Sequence, residues 1–274
     1  MQKKIVVPIL CSSGLKYRKV YRLGILETFG AIRKESPKVI PYFGKSTTWK
    51  SVFVDSIHAS TVWARLILPR QIRSLKTSNG SSTVFSDGSF RDGSRKYDVS
   101  TGKVSVSFDI AETSGNFALR FLEMLEWVLE TQQVDFIWHS NISTYLNLNR
   151  LQVFLNENDS KFYYAGVIGN YLNFDFVSGA SVCMGRDTAQ LVVLNRNQWD
   201  HSLLWDVALG KLLNEHAIRP TVIDRIDLTE PRDVQFLSED QLRATINFRC
   251  KSGRWRRKDH KIMNLLHERY VALE

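Results

Sequence analysis

The sequence predicts an α/β fold, with a mainly parallel sheet flanked by helices and a short antiparallel addition. Near the N-terminus, an apolar strand at Ile5–Leu10 is followed by helical spacing over 16–32 and by a second strand at 38–43. A strand–helix–strand unit of this kind pairs its strands in parallel through a right-handed crossover. The chain has 274 residues, 43% of them hydrophobic, which suffices for one large core. We expect a single domain over residues 1–274.

Later segments show the same two periodicities. Further strands are predicted at 104–108, 134–138, 162–167, 176–184 and 244–248, and further helices at 116–130, 203–214 and 259–272. Residues 70–103 are rich in Ser, Gly and basic side chains and contain three turn pairs, Asn79-Gly80, Asp87-Gly88 and Asp92-Gly93. We interpret 70–103 as a surface insertion holding a hairpin, and 249–274 as a basic segment followed by the terminal helix.

The net charge of +9 is unevenly distributed. Residues 1–50 carry eleven Lys and Arg against two acids, and 249–261 carry seven against one. Residues 104–214 carry twelve acids against six bases. A uniformly basic shell would favour a nucleic-acid or membrane-surface partner. Basic ends around an acidic middle instead indicate a local anion site, provided that the fold brings the two ends together.

The three cysteines, Cys11, Cys183 and Cys250, are odd in number and show no CxxC spacing. This argues against a disulfide framework or a zinc site and fits a reducing compartment. The apolar runs are too short for a signal-peptide core or a membrane span. We therefore expect a soluble, cytoplasmic protein.

Five segments between residues 22 and 210 carry short motifs in a fixed order. They are RLGILETF at 22–29, FGKS at 43–46, FDI with NFALR and MLEW at 108–127, FYYAG with VSGASV at 162–182, and WDVALG at 205–210. In order and spacing they resemble motifs of the β-1,3-galactosyltransferase and fringe-like family, among them R-x-x-I-R-x-T-W, D-F-x-D-x-Y-x-N-L-T-x-K, Y-x-S-G-x-G-Y-V and E-D-V-x-x-G. The segment 47–103 and the last fifty residues lie outside this resemblance.

The resemblance implies a GT-A-like fold and an inverting glycosyltransferase that uses a nucleotide-sugar donor, a UDP-sugar first, and a glycan or glycoprotein acceptor. One motif differs. Where the family has D-D-D to hold Mn²⁺, this chain has Asn141-Ile142-Ser143. Hard divalent cations prefer carboxylate oxygens, and an amide and a hydroxyl bring no charge. We therefore predict transfer without a metal, while Mn²⁺ or Mg²⁺ stays the alternative.

Asp206 is the candidate general base. It begins an apolar helix, where the helix dipole favours a carboxylate, and by resemblance it matches the Asp of E-D-V. The alternative role for Asp206 is helix capping, and Asp200 is the alternative base. Trp205 stands where the family has Glu, and we expect it to stack on an acceptor sugar; Asp200 lies near the same acceptor side.

Cationic side chains are the candidates for stabilising the leaving diphosphate, because arginine binds phosphate oxygens in a bidentate manner. Arg249 and Lys251 are preferred, since they leave a predicted strand on one side. Arg254, Arg256 and Arg257 could instead be a solvated loop, and Arg22 and Lys45 are further candidates.

The remaining donor contacts follow from sheet topology and from the resemblance. The nucleotide base is expected over the end of the first strand, at Pro8, Cys11 and Ser12. A glycine lets the backbone approach the sugar closely, so Ser178, Gly179 and Ala180 are donor contacts, although an ordinary turn is the alternative. His139, Asn141 and Ser143 are expected at the phosphates, with a structural role for His139 as the alternative.

Two other classes of function stay open. The sequence pI near 9.5 and Trp255 within a basic run fit a nucleic-acid-binding protein, although no recognisable motif accompanies them. The absent D-D-D motif permits an inactive relative that binds a glycan or a nucleotide.

Overall fold

The computed structural model describes residues 2–12, 14–29, 37–45, 83–84, 89–92, 95–98, 105–112, 114–253, 255–256 and 258–273. Thirteen strands occur in these ranges: β1 (Ile5–Leu10), β2 (Lys38–Lys45), β3 (Thr83–Val84), β4 (Ser89–Asp92), β5 (Arg95–Asp98), β6 (Ser105–Ala111), β7 (Phe136–Asn141), β8 (Thr144–Leu146), β9 (Tyr164–Tyr171), β10 (Phe174–Gly185), β11 (Thr221–Val222), β12 (Arg225–Leu228) and β13 (Asn247–Cys250).

The helices in the same ranges are α1, which runs continuously through Leu15–Lys19, a π-helical Val20–Ile25 and Leu26–Thr28, then α2 (Phe117–Thr131), α3 (Leu148–Asn156), α4 (Arg186–Leu194), α5 (Trp205–Glu215), α6 (Glu239–Ala244) and α7 (Asp259–Val271). Short 3₁₀ turns lie at Ser114–Asn116, Arg196–Gln198 and Pro231–Phe236. None of the helices seen in the described ranges is long and apolar enough to cross a membrane.

The large sheet has the strand order β11-β9-β10-β7-β1-β2-β6-β5-β4-β3. From β11 to β6, six of the seven strands run in one direction and only β10 is antiparallel to its neighbours. The antiparallel strands β3, β4 and β5 extend the β6 edge. The predicted α/β class is therefore confirmed, and it is consistent with a GT-A-like fold.

Two apolar clusters cover the two faces of this sheet. Alternation along β1 sends Ile5, Val7 and Ile9 into one cluster and Val6 into the other. The first cluster contains buried residues of α1, α3 and α7, and the second contains those of α2, α4 and α5. Helices thus lie on both faces, as the strand–helix alternation predicted.

A second, three-stranded sheet has the order β12-β13-β8, with β12 and β13 parallel and β8 antiparallel to β13. It joins the large sheet where the Thr144 hydroxyl donates to the Ala180 carbonyl at 3.0 Å. The terminal helices also meet, because Gly24 of α1 lies against Met263 and His260 of α7. The fold therefore brings the two basic ends of the chain together.

Most of the long predicted elements are present with shifted ends. The predicted helix 16–32 is seen to Thr28, and residues 30–32 lie outside the described residues. The hairpin expected in 70–103 is formed by β4 and β5, while most of that segment is likewise not described. The strand expected at 244–248 was wrong in its start: Ser238 caps a helix that continues to Ala244, and the strand begins at Asn247.

Candidate active site

The candidate site lies at the edge of the large sheet where parallel strands β1, β2, β6 and β7 end. A wide bulge shapes this edge, since residues 178–181 of β10 lie opposite only Val167 of β9. Ser181 pairs with Ser140 near the end of β7, so the residues before Ser181 extend past that strand. Carboxyl ends of parallel strands are where ligands bind in such sheets.

Asp206 occupies the first turn of α5 and is half-buried. Its Oδ2 accepts a hydrogen bond from the Gly179 N–H at 2.8 Å, and its Oδ1 accepts from the Val207 N–H at 3.1 Å. An ionised carboxylate has about four acceptor positions. Those two bonds therefore leave capacity for a further hydrogen bond.

The Trp205 ring packs so closely on Gly179 that no side chain has room there. A Cβ added at Gly179 would lie 2.5 Å from Cζ2 and 2.7 Å from Cε2 of Trp205, and 3.0 Å from Oδ2 of Asp206. The Trp205 ring also packs on Phe121, with centroids 4.7 Å apart, and edge-on against His139 at 5.1 Å. The base candidate, the bulge and the tryptophan thus form one packed group.

His139 lies inside β7 and is buried, 1% exposed. Its Nε2 is 2.8 Å from the Tyr42 hydroxyl, and its Nδ1 has no hydrogen-bond partner in the described part of the chain. Burial lowers the pKa of His139 to about 3 and raises that of Tyr42. His139 is therefore neutral near pH 7 and lies beneath Trp205.

The strand that carries Arg249 is joined to the site through the second sheet. Arg249 of β13 pairs directly with Thr144 of β8, and the hydroxyl of Thr144 is bonded to Ala180, the residue after Gly179. Burial, and then the nearby Arg225, lower the pKa of Arg249. Burial, and then Arg249, lower the pKa of Lys251. These cations therefore lie close enough to repel one another.

The turn at Asn141–Ser143, which the motif resemblance aligns with D-D-D, makes hydrogen bonds within the protein. Asn141 Oδ1 accepts from the Ser143 N–H at 3.0 Å and from the Thr144 hydroxyl at 3.2 Å. The Ser143 hydroxyl donates to Asp259 Oδ2 at 2.8 Å and accepts from Arg256 Nη1 at 2.8 Å.

Asp259, 0% exposed, binds the loop after β13 as well. Its Oδ1 accepts from the N–H and the hydroxyl of Ser252, and Arg256 pairs with Oδ2 at 3.3 Å. Buried Asp259 thus fixes Ser143 and Arg256. Its bond to Ser143 could not be seen in the sequence, because the two residues lie 116 positions apart.

The end of β1 carries a further polar pair. The Ser12 hydroxyl donates to Glu112 Oε2 at 2.9 Å, which joins the ends of β1 and β6. Cys11 and Pro8 are buried, and burial raises the pKa of the Cys11 thiol. The sequence reasoning did not select Glu112, although the second acidic position of the D-F-x-D motif falls on it.

Within the described residues, no hydrogen bond or ion pair joins Asp200 or Arg22 to Asp206. Asp200 accepts from Lys211 Nζ at 2.8 Å and from Ser202, and the Lys211 bond lowers the pKa of Asp200 to about 2. Arg22 is exposed on α1, and no contact within the described residues joins it to Asp206. Arg254, Arg257 and the Lys45 side chain lie outside what the structure describes.

No family model and no curated protein matches the chain. A solved structure described as a glycosyltransferase involved in the glycosylation of the major capsid of PBCV-1 is 10% identical, with a TM-score of 0.44, covering 95% of this chain and 99% of that one. At this identity and TM-score, the structural similarity assigns neither a family nor an activity to the chain. The kinship with β-1,3-galactosyltransferases and fringe-like enzymes stays a prediction from the motifs.

Proposed function

We propose that residues 1–274 form an inverting glycosyltransferase that moves a sugar from a nucleotide-diphosphate donor, a UDP-sugar first, to a hydroxyl of a glycan or glycoprotein. The observation that carries this proposal is the short chain of contacts from Arg249 through Thr144 and Ala180 to Gly179 and Asp206. Glycosyl transfer with inversion needs a base on one side of the sugar carbon and a stabilised leaving group on the other. This series of contacts connects a candidate base, Asp206, to a candidate cation for the leaving group, Arg249.

Asp206 is the proposed base. It takes the proton of the acceptor hydroxyl while that oxygen bonds to the anomeric carbon and the carbon–oxygen bond to the diphosphate breaks. The electron pair of the broken bond leaves on the nucleoside diphosphate, through an oxocarbenium-like transition state. Asp200 is the weaker candidate, because a carboxylate with a pKa of about 2 has little proton affinity near pH 7.

Arg249, Lys251 and Arg256 are proposed to bind the leaving diphosphate. Fixed cations placed where negative charge develops lower the barrier most when they need no rearrangement. Arg256 is held by Ser143 and Asp259, and Arg249 lies in a paired strand. Mutual repulsion between Arg249 and Lys251 is relieved when a phosphate anion binds between them.

The turn at Asn141–Ser143 does not fit a divalent cation, because both side-chain oxygens already serve protein hydrogen bonds and neither carries charge. We therefore assign no step to a metal. Pro8, Cys11, Ser12 and Glu112 are proposed beneath the nucleotide, and Ser178, Gly179 and Ala180 beneath the sugar. Buried His139 is proposed to support these residues by packing under Trp205. Half-buried Trp205, five residues after Asp200, is proposed to face the acceptor.

Release of nucleoside diphosphate from UDP-galactose, UDP-N-acetylglucosamine, UDP-xylose and GDP-sugars tests the proposal. We expect turnover with one donor, and Asp206→Asn should lower kcat by about 100-fold or more while the donor still binds. Proton NMR of the product reports the anomer and hence inversion. Equal turnover by wild type and Asp206→Asn would refute the proposed base.

The two alternative functions predict different binding and turnover results. A nucleic-acid-binding protein would bind a short RNA or DNA tightly and with strong salt dependence, but would show no affinity for a sugar nucleotide. An inactive relative would bind UDP yet release none from any donor. The net charge of +9 favours the first rival over the second.

A further inference from the structure

The start of α5 lacks the usual side-chain cap. Its N-cap residue is Leu204, which makes no side-chain cap hydrogen bond. Capping side chains normally fix the first turn of a helix. The position of Asp206, one residue into α5, must therefore be fixed by other contacts.

Trp205 supplies these contacts on one side. Its ring packs against Phe121 of α2 and His139 of β7, both buried, with ring centroids 4.7 and 5.1 Å away, and those two rings also contact each other at 5.2 Å. A ring packed against two buried rings on different elements has little freedom to rotate. Because Trp205 directly precedes Asp206, a fixed Trp205 also fixes the backbone from which the carboxylate projects.

Gly179 supplies the contacts on the other side. Its N–H holds Asp206 Oδ2 at 2.8 Å, and its missing Cβ leaves room for the Trp205 ring. An added methyl group at Gly179 would collide with Cζ2 of Trp205 at 2.5 Å, and the packing of this ring against Phe121 and His139 limits its movement on that side. The same methyl would lie 3.0 Å from the Asp206 oxygen.

We propose that Trp205 and Gly179 are a matched steric pair that positions the Asp206 carboxylate for proton abstraction, a role that rests on the proposed function. Trp205 is a positioning residue here and acts through Asp206. The indole fills the space that a glycine without Cβ leaves open, and the Gly179 N–H then meets the carboxylate. Enlarging Gly179 displaces both the ring and the carboxylate, whereas shrinking the ring as well restores the fit.

The experiment compares Gly179→Ala, Trp205→Phe and the double variant, with the donor of highest turnover in the panel. We expect Gly179→Ala to lower kcat about 100-fold, because displacing a catalytic base by about 1 Å is that costly. Trp205→Phe keeps an aromatic ring but lacks the fused ring that holds Cζ2. The double variant should recover kcat at least about tenfold relative to Gly179→Ala. Additive losses in the double variant would overturn the proposal.

Gly169→Ala is the matched control, because its Cβ would meet the Phe176 ring at 2.6 Å on the same pair of strands without touching Asp206. This control should lower the melting temperature but retain kcat. If Asp206→Asn is fully active, the proposed function itself fails. If Asp206→Asn is inactive while Gly179→Ala keeps wild-type kcat, only the positioning role fails.

A second readout needs no donor. Hydrogen exchange at the Gly179 amide reports its bond to Asp206 directly. In Trp205→Ala, where these ring contacts are removed, we expect this amide to exchange at least about tenfold faster than in wild type, since the hydrogen bond loses its support. Unchanged exchange at Gly179 in that variant would show that Trp205 does not hold the pair together.

Discussion

At the residue scale, His139 is a buried imidazole that stays uncharged beneath the candidate site. The imidazole is enclosed by the rings of Tyr42, Phe121 and Trp205, and the Tyr42 hydroxyl is its hydrogen-bond partner. Burial accounts for its lowered pKa. A protonated His139 would place an unpaired charge in this aromatic group, which folding strongly disfavours.

This burial predicts a specific loss of stability in acid. Below the ordinary pKa of 6.5, the unfolded chain binds a proton at His139 that the folded protein binds only near pH 3. The contribution of His139 to stability is therefore fully present above pH 6.5, and it is lost at about 1.4 kcal/mol per pH unit as the pH falls towards 3.

Urea unfolding of wild type and of His139→Gln, repeated from pH 7 to pH 4, measures this slope. The wild type should lose stability more steeply than the variant over that range, whereas the exposed control His216→Gln should follow the wild type. Parallel curves for wild type and His139→Gln would mean that the folded state accommodates the proton.

At the scale of elements, the bulge in β10 builds the site. Four residues of β10 oppose one of β9, so Gly179 is lifted out of the ladder towards α5. Gly166 makes the bulge possible, since its φ of +152° is rarely adopted by other residues and a Cβ there would lie 2.4 Å from Val177 Cγ1.

We expect Gly166→Ala to lower the free energy of unfolding by about 3 kcal/mol, because it adds a backbone conformational penalty to a clash within the bulge. Gly253→Ala is the control for the conformational part alone: its φ is +71°, nothing lies within 4 Å of the added methyl group, and it should cost only about 1 kcal/mol. Urea unfolding gives both values. A cost for Gly166→Ala no larger than that of the control would mean that the bulge relaxes freely.

The elements also show what sequence can and cannot predict. Long strands and helices with clear periodicity, such as β1 and α2, were placed within a few residues. Helix α3 was missed although Leu148, Leu151 and Leu155 have helical spacing and are buried. Strand β11 could not be found, because Thr221–Val222 is two residues long, exposed, and defined only by pairing with β9.

In the candidate site too, residues carried by local motifs could be predicted from the sequence, whereas residues placed by long-range pairing could not. Asp206 and Gly179 were selected because local motifs carry them, and they prove to be hydrogen-bonded. The nearness of Arg249 depends on β13 pairing with β8, and the position of buried Asp259 depends in part on its bond to Ser143, 116 residues away along the chain. Such long-range pairings leave no periodic trace in one sequence.

At the scale of the whole molecule, the cation cluster has a net charge that matters for metal use. The side chains of Arg225, Arg249, Lys251 and Arg256 oppose two carboxylates, Asp227 and Asp259, which leaves two positive charges. A divalent cation would bring the same charge to a diphosphate. In the proposed function, these cations of the second sheet and of the loop before α7 take the place of a metal ion at the diphosphate.

We therefore expect donor turnover to persist in EDTA and Mn²⁺ to raise it less than about twofold, because the protein's own cations neutralise the leaving group. UDP should raise the melting temperature equally with and without Mn²⁺, since only binding to the folded state stabilises it. Lys251→Gln should reduce that thermal shift in both conditions, and added metal should not restore it, as the lost charge lies at a fixed position. Turnover that disappears in EDTA and returns with Mn²⁺ would show that the cluster does not replace a metal, and would direct attention to carboxylates such as Glu112 at the end of β6.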